Sequence, residues 1–155
     1  MMVKSHVVLG LAAWAAAAPL LHRAALDPTL LALAVAGALL PDVDHPQSWV
    51  GRRTRPLSTL IGAMFGHRGL THSALAVLGG AVLLVQIGTR HGAVAALAVG
   101  YLSHLAADML TPRGLRLAWP LRRSWGLKLC RSGSLMEPVV VLALVLGVGW
   151  WRFGR

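Results

Sequence analysis

A chain of 155 residues, 56% of them hydrophobic and only 13% charged, with a mean hydropathy of +0.65, is too apolar for an ordinary soluble protein and reads as a single membrane domain over 1–155. Fifteen Lys and Arg against five Asp and Glu give a formal charge of +10, but these basic residues flank apolar stretches instead of forming one soluble stripe. That is the pattern of contact with anionic lipid head groups, and it excludes nucleic acid as the expected partner.

In chain order, the first apolar stretch runs from His6 to Leu21. Lys4 precedes it as in a signal peptide, but Pro19-Leu20-Leu21 offers no small-residue cleavage site, and the stretch is expected to be retained. Asp27-Pro28 supplies an N-cap and a proline at the first helical position, opening a second helix over Thr29 to Leu40. That helix covers only about 18 Å at ~1.5 Å per residue, so it either thins the bilayer or spans half of it. Pro41, Pro112 and Pro138 punctuate further boundaries. Leu57, Leu60, Ile61, Met64 and Phe65 keep i, i+3, i+4, i+7, i+8 spacing, which predicts a short amphipathic helix on the membrane surface, a lid or a lipid entry.

Three more apolar stretches follow, Leu70 to Ile87, Ala93 to Leu110 and Val139 to Trp151, against the roughly 20 residues that a spanning helix needs. From Leu115 to Leu129 the odd positions are apolar except Arg123, which reads as extended or hairpin structure around Arg122-Arg123-Ser124, with Trp119 and Trp125 at the interface and Trp150 and Trp151 in the opposite aromatic belt. The expected fold is all-α and polytopic: about five transmembrane or half-spanning helices, a short interfacial helix and a small hairpin.

Charge sets the expected orientation. Lys4, the loop with Arg52, Arg53, Arg55 and Arg68, and the loop with Arg113, Arg116, Arg122, Arg123, Lys128 and Arg131 put eleven basic residues on one side, against Arg23, Arg90, Arg152 and Arg155 on the other. The positive-inside rule then places the amino terminus in the cytoplasm and the carboxyl terminus outside.

This topology brings nine ionisable residues to the same face: His6, Asp42, Asp44, His45, His67, His72, His104, Asp108 and Glu137. In an apolar helix each such group costs roughly 2.5–3.5 kcal/mol on insertion scales, so the set demands a common cause. His104 and Asp108 stand at i and i+4 near the end of their helix and project from one side, about 10 Å deep at 1.5 Å per residue. Three groups have plainer readings: Asp27 as a cap, His22 and His91 as interfacial polar residues on the opposite side. Asp42-Val43-Asp44 in isolation would be an Asx turn, and the company it keeps changes that reading.

Imidazole nitrogens with carboxylate oxygens suit a divalent metal: zinc first, with manganese or iron as alternatives. Cys130 is not needed. Four carboxylates match two divalent ions, nine ligands could serve three, and paired ions about 3.5–4 Å apart suit hydrolysis. Arg68, between His67 and His72, is placed to hold a phosphate oxygen, or else snorkels toward lipid head groups. His6, Asp42, Asp44, His67, His72, His104 and Asp108 are the candidate ligands, with Glu137 or His45 as general base or outer ligand.

The early His6, Pro41-Asp42-Val43-Asp44-His45, His67-Arg68-Gly69-Leu70-Thr71-His72-Ser73, Gly100-Tyr101-Leu102-Ser103-His104-Leu105-Ala106-Ala107-Asp108, Thr111-Pro112-Arg113-Gly114 and Gly133-Ser134-Leu135-Met136-Glu137 together resemble the LexA-binding, inner membrane-associated hydrolases, also described as membrane-bound metal-dependent hydrolases. The resemblance covers nearly the whole chain and implies a bacterial inner membrane location. The order His, Asp, His, then His-x-x-x-Asp is more distantly similar to the zinc-dependent phospholipase C and P1 nuclease group. There His6, Asp42 or Asp44, His67 or His72, His104 and Asp108 would be ligands and Asp108 would bridge two ions, although only Glu137 follows Asp108 where that group supplies two histidines and a glutamate.

The function expected from all this is hydrolysis of a phosphoester on a lipid or lipid-linked substrate at the cytoplasmic leaflet, with membrane lipids as partners and an oligomer compatible with the short second helix. Two competitors make different demands. A metal ion transporter or channel needs ligands near the midplane and broken helices, and a non-catalytic protein with a structural metal needs a closed coordination sphere.

Overall fold

Three helix starts in this chain are set by side chains that satisfy the first free N–H groups. Asp27 accepts from the Thr29 and Leu30 amides at 2.8 and 3.0 Å with Pro28 at the first helical position, and Ser48 and Ser73 cap later helices by accepting from Gly51 N and Ala76 N. The computed structural model describes residues 1–66, 68–121 and 123–154, apart from the Phe153 side chain. His67 as a ligand, Arg122 in the predicted hairpin and Arg155 in the charge count lie outside the described residues.

The helices are α1 (Val3–Leu20), α2 (Pro28–Leu39), α3 (Trp49–Arg53), α4 (Arg55–Phe65), α5 (Ala74–Gln86), α6 (His91–Met109) and α7 (Met136–Phe153), with 3-10 turns at Leu40–Asp44 and Leu70–His72. The all-helical expectation holds. The boundaries move where a polar motif intervenes: the third apolar stretch spends its first residues on the Leu70–His72 turn, and Glu137 and Pro138 lie inside the first turn of α7 instead of before it.

Packing starts from small residues. A Cβ on Gly100 would collide with the Ala34 carbonyl and one on Gly37 with the Leu97 carbonyl, so α2 and α6 meet backbone to backbone. α1 crosses both, and Trp14, Ala18, Ala34 and Ala96 form a fully buried cluster at the end away from Asp108. α7 packs against α1 and α5 against α6. Because the Ser5 hydroxyl donates to the Glu137 carboxylate, α1 and α7 begin at the same end and run parallel.

What the bundle leaves uncovered is apolar: Leu78 is 65% exposed on α5, which buries no residue, and Leu146 is 62% exposed on α7. Such faces suit lipid, not water. Among the described residues, α1 with 18 and α6 with 19 are long and apolar enough to cross a membrane. α2 and α5, at 12 and 13 residues, reach only about 18–20 Å of a hydrocarbon layer roughly 30 Å thick. By length and composition two helices qualify as spans, and the count of about five is not established.

α4 carries the predicted surface stripe: Leu57, Leu60 and Met64 face outward, while Ser58 is buried and Gly62 lies against the Asp44 carbonyl in the Leu40–Asp44 turn. The expected hairpin shrinks to one antiparallel bridge, in which Leu115 and Trp125 exchange two N–H···O bonds of 2.8 Å. Leu127 N and Leu129 N donate instead to the Met109 and Leu110 carbonyls, so the segment is fastened to the end of α6 and forms no strand among the described residues.

Candidate metal centre

His104 sits five residues before the end of α6, where the close approach of α2 places the Ala38 carbonyl 2.7 Å from its Nδ1. A carbonyl only accepts, so Nδ1 carries the proton and the Nε2 lone pair faces inward. His72 is set the same way. The Thr71 hydroxyl donates its proton to Asp44 Oδ2, leaving the oxygen to accept from His72 Nδ1 at 3.0 Å, and the Asp44 carboxylate stands 3.3 Å from the same nitrogen. His72 Nδ1 is therefore also the protonated nitrogen, and its Nε2 faces inward.

The two Nε2 atoms stand 3.3 Å apart, both in acceptor form. Asp108 Oδ2 lies 3.9 Å from each of them and Asp42 Oδ1 3.8 Å from that of His104. Lone pairs and carboxylate oxygens facing one another repel unless a cation lies among them. Two imidazole nitrogens on a tetrahedral zinc, each about 2.0–2.1 Å from it, are set roughly 3.3 Å apart. His6 stacks on His104 with ring centroids 3.7 Å apart and an interplanar angle of 12°, its Nε2 is 3.6 Å from Asp108 Oδ1, and its buried Nδ1 has no hydrogen-bond partner among the described residues. Two groups of three could hold an ion: His6, His104 and Asp108, and Asp42, His72 and His104.

The remaining candidates have other surroundings. Asp44 is buried behind His72, accepting from Arg68 N at 3.0 Å as well as from Thr71, so it orients a ligand. Glu137 is buried with three donors on its carboxylate, Met2 N, Ser5 Oγ and Gly133 N, which ties α1, α7 and the preceding loop together. His45 lines a polar cavity of about 640 Å³ that also touches Asp42 and Asp108. His22 and His91 are exposed at the far end.

Arg68 is 13% exposed and turned inward, not toward lipid head groups: its Nη2 lies 2.5 Å from Asp108 Oδ2 and its Nη1 donates to the Gly114 carbonyl at 3.0 Å. Its backbone holds φ +61°, a left-handed conformation uncommon for arginine and seen where a site over-determines the chain. With the Met1 amine on Oδ1, Asp108 has two cationic neighbours. Burial pushes the Cys130 thiol up, with Glu137 adding to the shift, so Cys130 offers no thiolate.

Three contributors escape a reading of the sequence by ligand type. Thr71 is not itself a ligand type; its signal is a hydroxyl next to a histidine in an apolar segment. Arg52 and Arg113 line the polar cavity, where the sequence by itself shows only their charge.

The fold and site define a class: a helical protein with apolar outer faces and a buried histidine–aspartate cluster at one end of its bundle. The chain belongs to the YdjM inner membrane protein family, whose model matches residues 1–154. It is 41% identical over 124 residues to the inner membrane protein YdjM of Escherichia coli K12, and equally so to that of Shigella flexneri, matches that cover 76% of this chain and 63% of each relative. It is 36% identical over 145 residues to the uncharacterized protein YvsG of Bacillus subtilis 168, covering 92% of this chain and 89% of that one. No solved structure matches it. Membrane residence follows from the family as well as from composition, in agreement with the coarser part of the family resemblance. None of these matches carries the likeness to zinc-dependent phospholipase C and P1 nuclease.

Proposed function

We propose that this protein is a membrane-embedded, metal-dependent hydrolase that cleaves a phosphoester on a lipid or lipid-linked substrate, at the leaflet that its histidine–aspartate cluster faces. That leaflet is cytoplasmic by the charge distribution, and the same distribution fits five helices in the bilayer, α2 and α5 among them despite their short length. The observation that carries the reading is the pair of inward Nε2 atoms 3.3 Å apart, flanked by Asp42 and Asp108, which border a cavity that arginines also line.

His6, Asp42, His72, His104 and Asp108 would hold the ion, with Asp44 orienting His72. Both groups of three use the single lone pair of His104 Nε2, so the described side chains support one ion there, fewer than the two or three expected. Zinc fits the donor set first. When bound, a divalent ion supplies Lewis acidity and activates water at neutral pH. The chain's own part is electrostatic: Arg68 and Arg113 bind phosphate oxygens and spread the charge that develops in the transition state. His45, on the cavity wall, is the better placed of the two proposed bases, because the Glu137 carboxylate already accepts three hydrogen bonds.

The competitors fit less well. A transporter needs ligands at mid-membrane, whereas His104 stands about 8 Å from the end of an unbroken α6 at 1.5 Å per residue. A structural metal needs a closed sphere, whereas Asp42 and Asp108 both border the cavity. Metal analysis of purified protein beside His104→Ala, followed by a phosphoester screen, tests the proposal. Wild type should hold about one divalent ion per chain and hydrolyse a phosphoester, and the variant should do neither. A folded, metal-free wild type would overturn it.

A further inference from the structure

Between α1 and α7 runs a second cavity, of about 280 Å³, with Val8, Pro138, Val141, Leu142 and Val145 beneath Lys4 and Ser5. Lys4 also lines the polar cavity over the cluster, so the two spaces share that residue. The groove is braced at both levels. Ser5 Oγ donates to Glu137 at the top, and Leu9 packs on Val141 lower down, which holds α1 and α7 at a set spacing. The β-branched valines of its walls keep few rotamers, so its shape is prebuilt.

One kind of ligand uses both spaces. A phosphate satisfies the cationic cavity, where Lys4 joins Arg52, Arg68 and Arg113, and an apolar chain satisfies the groove below. A water-soluble phosphoester would leave the groove without an occupant. A pocket of about 270 Å³ lined by Leu9, Ala106 and Leu144, among others, is equally apolar but shares no lining residue with the polar cavity.

We infer that the α1–α7 groove seats an acyl chain of a phosphate-bearing membrane lipid, with Lys4 at the junction of head group and tail. This rests on the hydrolase reading and names the part of the site that would select its substrate.

The test uses the full chain in lipid nanodiscs and a phosphatidic acid analogue with a diazirine at the end of one acyl chain. Photolysis should label peptides of α1 and α7 that contain Val8 and Val145. Val145→Trp should suppress that labelling, and Leu146→Trp, on the lipid-facing side of α7, should not. In hydrolysis, Val145→Trp should lower kcat/KM for long-chain phosphatidic acid about tenfold and leave p-nitrophenyl phosphate within about twofold, and Lys4→Gln should raise KM for both. Wild-type labelling outside the groove, or a Val145→Trp variant impaired equally on both substrates, would overturn the inference. A wild type labelled in the groove that hydrolyses neither compound overturns the hydrolase reading and leaves the groove standing; one that hydrolyses both but is labelled elsewhere does the reverse.

Discussion

The two ends of the α1–α2–α6 bundle solve opposite problems. At one end Trp14, Ala18, Ala34 and Ala96 close a dry contact in which small side chains let backbones touch, and no charge is involved. At the other, His6, His72, His104 and Asp108 are just as buried but present acceptors to one another. The dry end is complete by packing alone, while the polar end gathers donor atoms that could hold a metal ion. The comparison teaches that burial here does two jobs, and that substitutions should separate them.

The largest expected effect erases the difference. Gly100 lies at the crossing between the two ends, and a valine there would drive its Cβ into the Ala34 carbonyl. A backbone carbonyl cannot step aside as a side chain can, so Gly100→Val should cost at least about 3 kcal/mol and abolish folded protein on size exclusion in detergent. A folded Gly100→Val would mean that the helices cross less tightly than this.

Next comes the polar end alone. His104→Ala removes the nitrogen shared by both candidate metal groups, and phosphoester hydrolysis should fall by more than the ~100-fold that loss of a supporting partner brings. Folded yield should hold better than in Gly100→Val, because the dry end is untouched. Asp44→Asn is smaller. It leaves every inward donor in place but weakens the hold on His72 Nδ1, so metal affinity should drop about 10–100-fold by titration with a competing chelator. If it matches His104→Ala instead, Asp44 is itself a ligand.

These residues also mark how far the sequence could be read. The i, i+4 spacing of His104 and Asp108, the Asp27-Pro28 start of α2 and the outward stripe of α4 were legible, because helical periodicity fixes which side chains share a face. Asp44 and Asp42 are two residues apart in one motif, yet one stands behind a histidine and the other faces the centre. That division depends on Thr71 and the Arg68 amide, brought in from another segment. By sequence Glu137 reads as a general base or outer ligand at the right face. Its donors come from Met2 and Ser5, more than a hundred residues away, and from Gly133 in the loop just before it, and no spacing rule predicts such a pairing.

Glu137→Gln tests that correction. As a clamp, the carboxylate accepts three hydrogen bonds, and the amide sets a donor against one of the N–H groups, so thermal unfolding should show a loss of about 1–3 kcal/mol. Hydrolysis of a soluble phosphoester should stay within a few-fold, whereas removal of a general base would lower it about 10²–10⁴-fold.

The smallest effect belongs to the dry end. Trp14 is fully buried, and its indole Nε1 has no hydrogen-bond partner among the described residues. Such an N–H costs roughly 1–3 kcal/mol, and Trp14→Phe removes it. Phenylalanine also gives up contacts of the larger ring and leaves a small cavity, a loss of similar size and opposite sign. Thermal unfolding in detergent should therefore place Trp14→Phe within about 1 kcal/mol of wild type, with metal content unchanged. A loss well beyond that would show that Nε1 finds a partner in the membrane, and that the dry end, like the polar one, is not complete by packing alone.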